Sequence, residues 1–119
     1  MTETTSETLP YFAMEHSENS DGSVILVKGD LDLMTVSQLD DKLEDTIDEL
    51  RKLADGKKLI LDLRELDFID SAGLALLIRV SRELATIDRV LRVVVGKGHQ
   101  PDRVLKIGQF GRILDLVSE

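Results

Sequence analysis

The sequence predicts a single α/β domain, in which helices pack against a mixed β-sheet of four to five strands. The 119 residues suit one compact domain and are too few for two ordinary ones. Apolar segments typical of buried strands alternate with segments of helical periodicity, which favours parallel strands joined by helical crossovers. An opening pair of strands with a short turn between them adds antiparallel pairing.

The first two strand segments are expected to form a hairpin. Tyr11–Glu15 is a short candidate strand, and Ser23–Lys28 is a stronger one because it is rich in Val, Ile and Leu. The turn residues Asn19–Gly22 separate them. Residues 1–10 are polar and are expected to form a flexible tail, so the domain is expected to cover residues 11–119.

A first helix is predicted to begin at Thr35. Thr35 and Gln38 have the spacing of a capping box, and Gly56 is the expected stop signal. Apolar residues recur in steps of three and four and form the face that is expected to be buried. These residues are Val36, Leu39, Leu43, Ile47, Leu50 and Ala54.

Two interior strands are predicted over Leu59–Leu63 and Leu91–Val95. Between them, a second helix is predicted to follow Phe68–Gly73 and to run to about Ile87. Its predicted inward face comprises Leu74, Leu77, Ile78, Ser81, Leu84 and Ala85.

A short third helix is expected around Pro101, because proline suits the first helical position. Val104, Leu105 and Ile107 are the residues available to pack. Arg112–Val117 is predicted to be either a last strand or a fraying end.

Composition excludes several classes of function. The 15 Lys+Arg and 23 Asp+Glu residues give a net charge of −8, so no direct nucleic-acid or membrane partner is expected. The absence of cysteine excludes disulfides and thiol catalysis, and two distant histidines make a zinc site improbable. No signal-like or membrane-length apolar segment is present in the sequence, so a cytoplasmic location is expected.

The acidic residues concentrate in the first half of the chain. Residues 1–56 hold 4 basic and 14 acidic side chains, whereas residues 57–119 hold 11 and 9. This asymmetry is typical of a solvated acidic face, and it also biases which partners approach that face.

The junction between a buried strand and the second helix carries Asp70 and Ser71. Both residue types favour helix N-caps, where their oxygens accept hydrogen bonds from free backbone amides. Ser71 is alternatively a phosphate acceptor, and its phosphate would then face unpaired first-turn amides and the positive end of the helix dipole. Such a dianion would add negative charge beside Asp70 and Asp32. From the residues alone, both interpretations stay open.

Catalytic alternatives have weaker support. A nucleophilic Ser71 needs a histidine base, for which the candidates are His16 and His99. His99 is explained as a solvated loop histidine, and no Gly-x-Ser-x-Gly motif surrounds the serine. The segment Gly96–Gly98 lacks the spacing of a phosphate-binding loop. A small hydrolase or phosphotransferase is therefore the less favoured hypothesis.

A magnesium site is a further alternative, because carboxylates at strand ends can hold that ion. Its candidate ligands are Asp30, Asp32, Asp62, Asp67 and Asp70. Several of them have structural explanations, so we expect neither a metal nor a cofactor.

Two motifs resemble the STAS domain and, more closely, bacterial anti-sigma factor antagonists. They are Gly29-Asp-Leu-Asp32 after a strand and Phe68-Ile-Asp-Ser-Ala-Gly-Leu74 at a strand-to-helix junction. The late segment Pro101–Leu114 is similar to the short third helix and following strand of that family. The likeness covers about residues 11–117.

The resemblance implies a partner-switching module rather than an enzyme. In anti-sigma factor antagonists, the serine that matches Ser71 is phosphorylated by an ATP-dependent serine kinase that is also the anti-sigma factor. The unphosphorylated antagonist binds this kinase and frees a sigma factor, and a serine phosphatase reverses the modification. The aspartate matching Asp32 lies beside the phosphorylation site and supports kinase contact or phosphorylation.

Further expected partner contacts at this site are Asp70, Ser71, Gly73 and Leu74. Gly73 is expected to keep the first helical turn bare so that a partner can approach the backbone. The chain is expected to be a monomer or weak dimer. The alternative is a STAS scaffold or accessory subunit of a signalling or transport assembly without a phosphorylation switch.

Two features depart from the family pattern. Ala72 stands where many members carry a second Ser or Thr, which concerns details of regulation. The sequence ends at Glu119, where the family usually adds a final helix over the sheet.

Overall fold

The computed structural model describes residues 12–53 and 56–119, which form an α/β domain with a mixed sheet and three α-helices. The strands are β1 (Phe12–Glu18), β2 (Gly22–Leu31), β3 (Lys58–Leu63), β4 (Leu66–Ile69), β5 (Leu91–Val95) and β6 (Asp115–Ser118). The helices are α1 (Val36–Lys52), α2 (Ser71–Ala85) and α3 (Gln100–Ile107), followed by a 3-10 turn at Phe110–Arg112. The predicted tail over residues 1–10, Tyr11 and Ala54 lie outside the described residues.

The predicted fold class is confirmed, with six strands in place of four to five. The strand order is β1-β2-β3-β5-β6, and β4 also pairs with β2. The predicted hairpin is confirmed as the antiparallel pair β1–β2, while the pairs β2–β3, β2–β4, β3–β5 and β5–β6 are parallel. Of the two alternatives for residues 112–117, the strand is correct, because β6 pairs with β5.

The additional strand, β4, has a place in the sheet because β2 pairs with β3 along its first part and with β4 along its last part. Residues 22–26 of β2 pair with β3, and residues 29–31 pair with β4 after a register shift at Gly29. Gly29 has a φ of +98°, a conformation that glycine adopts without strain, so it suits the shift. As a result Leu31 pairs with Ile69, and the chain leaves both strands at neighbouring points.

The core lies between the helices and one face of the sheet. Apolar side chains of α1, α2 and α3 form one cluster with alternate residues of the strands, among them Ile25, Leu61 and Val93. The strand residues between them, such as Ile60 and Val94, are outside that cluster and belong to the opposite face. Within the described residues, no helix is both long and apolar enough to span a bilayer.

The predicted capping box of α1 is wrong. Thr35 is buried, and its Oγ1 accepts a hydrogen bond from Asp32 N (3.0 Å) and donates one to Asp30 O (2.8 Å). The hydroxyl therefore closes the turn before the helix and makes no cap hydrogen bond with the first turn of α1.

The predicted stop at Gly56 is also wrong, because α1 ends at Lys52 and Leu53 is already extended. The end of the helix is held by Arg89, whose Nη2 donates to Leu50 O (3.2 Å) and Leu53 O (2.6 Å). A guanidinium thus satisfies helix-end carbonyls that a left-handed glycine would otherwise help to satisfy.

Most residues predicted to face inward from the helices are buried or half-buried, with two exceptions. Ala85 is exposed, because α2 ends there instead of continuing to Ile87. Ile107 is the last residue of α3 and is 82% exposed, since Leu105 occupies the buried position of that turn. The predicted third helix is present, but Pro101 is its second residue instead of its first, because α3 begins at Gln100.

Candidate functional site

The candidate site lies where β2 and β4 end side by side. Asp32 directly follows β2 and Asp70 directly follows β4, and the last residues of those strands, Leu31 and Ile69, are register partners. Parallel pairing therefore brings the two predicted motifs to one edge of the sheet, although they are far apart in sequence.

Asp70 is the N-cap of α2. Its Oδ1 accepts hydrogen bonds from Ala72 N (2.9 Å) and Gly73 N (3.1 Å), and its backbone carbonyl accepts one from Leu74 N (3.0 Å). Of the two predicted cap candidates, Asp70 and Ser71, the structure therefore shows Asp70 to be the N-cap. The negative carboxylate also lies favourably at the positive end of the helix dipole.

Asp70 also holds the loop that precedes α1. Its Oδ2 accepts a hydrogen bond from Leu33 N (3.2 Å), and its backbone amide donates to Leu31 O (3.1 Å). One aspartate thus links the start of α2 to the chain that leaves β2.

Asp32 organises the same loop from the other side. Its Oδ1 accepts hydrogen bonds from Met34 N (2.9 Å) and Thr35 N (3.2 Å), an arrangement typical of an Asx turn. Successive backbone amides in this loop are therefore held by two carboxylates, Leu33 by Asp70 and the next two by Asp32.

Ser71 is exposed at the first position of α2, as the phosphate-acceptor hypothesis requires. Its hydroxyl forms no hydrogen bond with any residue that the structure describes. The expectation that a phosphate would meet unpaired first-turn amides is wrong for Ala72 N and Gly73 N, because Asp70 already binds both. A phosphate on Ser71 would instead lie beside an ionised carboxylate.

Gly73 packs inward. It is buried, and a Cβ added there would lie 2.7 Å from Ile69 Cγ1 and 3.0 Å from Leu31 Cγ. The glycine therefore lets α2 approach the ends of β2 and β4 closely, which differs from the expected reason of leaving the first turn bare. Its contact with a partner remains a prediction.

Two exposed apolar side chains next to the site were missed by the sequence analysis. Leu33 is 76% exposed and Met34 is 74% exposed, whereas Leu74, the predicted contact residue, is half-buried. An apolar dipeptide between Asp32 and Thr35, outside the periodic face of α1, was the available signal. Two adjacent, largely exposed apolar side chains beside a polar site are typical of an interaction surface.

The structure gives the catalytic hypothesis no support. A nucleophilic serine needs a base within hydrogen-bonding distance, but neither histidine bonds to Ser71. His16 instead bonds to Glu18 (2.9 Å) on β1, and His99 is exposed at the start of α3.

The magnesium hypothesis also lacks a cluster of ligands. Over residues 12–53 and 56–119, no three or more His, Cys, Asp or Glu side chains are grouped closely enough to hold a metal ion. Asp62 is bound instead by Arg64 Nε (3.0 Å) and Nη2 (2.8 Å). Although burial raises the pKa of Asp62, the hydrogen bonds and charge of Arg64 hold it below its ordinary value of 3.8.

Comparison with known proteins places this arrangement in a family. The sequence model of the STAS domain matches residues 11–118. An anti-sigma factor antagonist from Mycobacterium paratuberculosis has a similar structure, with a TM-score of 0.71 and 20% identity over 89% of this chain and 85% of that chain.

Two structures of SpoIIAA are also similar. The anti-sigma factor antagonist SpoIIAA in its unphosphorylated form gives a TM-score of 0.60 at 25% identity, over 91% of this chain and 86% of that chain. The Bacillus cell fate determinant SpoIIAA in the phosphorylated form gives 0.62 at 24% identity, over 91% and 90%. With the family match spanning nearly all of its length, and with the predicted fold in place, the chain belongs to the STAS domain family.

Proposed function

We propose that this protein is a non-enzymatic anti-sigma factor antagonist controlled by phosphorylation of Ser71. In the unphosphorylated form it binds a serine kinase that is also an anti-sigma factor, and a sigma factor is released. Phosphorylation ends this binding, and a serine phosphatase restores it. The observation that carries the proposal is the juxtaposition of the accessible Ser71 with the exposed Leu33–Met34 pair at one edge of the sheet.

The surface has the parts that a switched contact needs. Leu33 and Met34 offer apolar area that a partner can bury, which is the main source of affinity in protein interfaces. Asp32 and Asp70 fix the backbone that carries this pair, so little conformational freedom is lost on binding. Leu74, three residues after Ser71 on α2, adds half-buried apolar surface.

Phosphate on Ser71 would oppose the same contact. It adds a charge of about −1.5 to −2 near neutral pH, beside the carboxylate of Asp70. Because Asp70 already occupies Ala72 N and Gly73 N, those amides are not free to bind the phosphate, which would face solvent or a partner. Removing its water to form an apolar interface would then be costly.

Intact-mass analysis tests the modification. The protein is incubated with ATP and, one at a time, the serine kinases of this class from its own cell, alongside Ser71→Ala and Ser37→Ala. Ser37 is a matched control because it is an exposed serine in the first turn of α1. We expect one added phosphate that only Ser71→Ala loses.

Binding to the same kinases tests the switch. Ser71→Ala should bind without regulation and Ser71→Asp weakly, whereas Ser20→Ala, in the distant β1–β2 turn, should bind like wild type. Equal affinities of Ser71→Ala and Ser71→Asp would remove the switch from the proposal. The absence of phosphate with every kinase would favour a scaffold or accessory subunit instead.

A further inference from the structure

The two oxygens of the Asp70 carboxylate serve different parts of the chain. Oδ1 binds the first turn of α2, which carries Ser71, and Oδ2 binds the backbone amide of Leu33. Met34 N, the next amide, is held by Asp32. Asp70 is therefore the side chain that ties the Leu33 backbone to α2.

We propose that Asp70 is a positioning residue that fixes the Leu33–Met34 loop in its binding conformation and transmits to it the effect of charge at Ser71. This inference rests on the proposed function only for the identity of the partner that the loop binds. The coupling itself is a property of the free protein and can be measured without a partner.

The physical argument follows from the shared carboxylate. A negative group on Ser71 repels the negative carboxylate of Asp70 and so weakens the hydrogen bonds that hold its Oδ1 on the first-turn amides of α2. A carboxylate displaced from those amides also loses the geometry of its second hydrogen bond, to Leu33 N. The loop then loses the hydrogen bond that joins Leu33 N to Asp70, and the apolar pair is less well ordered for binding.

Hydrogen exchange measured by NMR tests the positioning function. Asp70→Asn keeps one oxygen to cap α2 but replaces the other by an NH2 group, which cannot accept from Leu33 N. We expect exchange of the Leu33 amide to rise about tenfold, while the core amides of Leu61 and Leu77 stay as in wild type. Asp67→Asn is the matched control, because Asp67 is an exposed carboxylate on β4.

A second variant, Asp70→Ser, distinguishes a local effect on the loop from destabilisation of the whole fold by Asp70→Asn. Asp70→Ser retains a good helix cap, but its hydroxyl is too short to bind α2 and Leu33 together. A rise confined to the loop in this variant supports the proposal. Unchanged Leu33 exchange, or a uniform rise that includes the core in both variants, would overturn it.

A double-mutant cycle tests the transmission. Ser71→Asp should speed exchange at Leu33 when Asp70 is present and add little in the Asp70→Asn background. Effects that simply add would reject Asp70 as the link.

Kinase binding then separates this inference from the proposed function. Asp70→Asn should weaken binding about tenfold, whereas Asp67→Asn should not. If wild type binds no kinase while the exchange results hold, the proposed function fails and the coupling stands. If wild type binds a kinase and Asp70→Asn binds equally well, the positioning function fails alone.

Discussion

Asp102 on α3 and Ser118 on β6 are joined by a hydrogen bond of 2.6 Å from Ser118 Oγ to Asp102 Oδ1. Gly98 N also donates to the carboxylate, at 2.8 Å, and Lys106 Nζ lies 3.1 Å from it. Asp102 thereby fastens the third helix to an edge strand and to the turn before that helix.

This arrangement predicts a specific acid sensitivity. The hydrogen bonds from Ser118 and Gly98, followed by the charge of Lys106, lower the pKa of Asp102 from 3.8 to about 2. A carboxyl group whose pKa is lower in the folded state stabilises the fold above its unfolded pKa, and that stability is lost as pH falls through the folded pKa. We therefore expect its contribution to be full above about pH 4 and to disappear towards pH 2.

Urea denaturation between pH 2 and pH 6 measures this contribution. The difference in unfolding free energy between wild type and Asp102→Asn should shrink as pH falls through that window. A difference that stays constant across the range would show that ionisation of Asp102 does not stabilise the fold.

Gly73→Ala should destabilise the protein. The new methyl group would lie 2.7 Å from Ile69 Cγ1 and 3.0 Å from Leu31 Cγ, so these two packed side chains would have to shift. Overpacking of this kind costs about 1–3 kcal/mol of unfolding free energy. Gly111→Ala is the control, because a Cβ there meets nothing within 4 Å. Equal urea midpoints for the two variants would contradict the close packing described for Gly73.

Arg89→Ala should destabilise the protein by about 2–3 kcal/mol, because one buried and two partly buried carbonyls lose a charged donor. The guanidinium donates to Leu50 O, Leu53 O and Lys57 O, at 3.2, 2.6 and 2.6 Å. Arg89→Lys should recover little of this loss, since a single ammonium cannot reproduce the planar fork. Thermal unfolding is the measurement, with Arg82→Ala on the exposed side of α2 as the control.

Leu33→Ala and Met34→Ala should each weaken binding of the kinase partner about tenfold or more, with little change in unfolding free energy. Both side chains are mostly exposed in the free protein, so their removal leaves no cavity in the core. Val90→Ala is the control, since Val90 is 52% exposed and precedes β5, at the other end of the strands. Isothermal titration calorimetry would decide, and equal losses in all three variants would place the interface elsewhere.

Features set by nearby residues could be predicted from the sequence. The apolar run Leu59–Leu63 indicated an interior strand, and the steps from Leu39 to Leu43 and Ile47 indicated the buried face of α1. A cap at Asp70 or Ser71 was predicted for α2 because capping depends on amides only two and three residues away, and Asp70 is the residue that fills this role. Ser71 directly follows this cap and is exposed at the first position of α2.

Features set by distant residues could not be predicted in this way. β4 has only four residues, and its place in the sheet depends on the register shift in β2 at Gly29. The bond between Asp70 and Leu33 joins positions 37 apart, and Arg89 bonds to the end of a helix formed much earlier in the chain. No periodicity in one sequence records such pairings, which depend on the tertiary arrangement.

The direction of the chain also decides which side chains bond to the backbone groups at the ends of the helices. Helices that follow parallel strands begin at one end of the sheet, where the carboxylates of Asp32, Asp70 and Asp102 accept backbone amides. At the other end Arg89 donates to carbonyls. Placing a cation at such a helix start, or a carboxylate at the Arg89 position, would therefore set the side-chain charge against the dipole of the neighbouring helix.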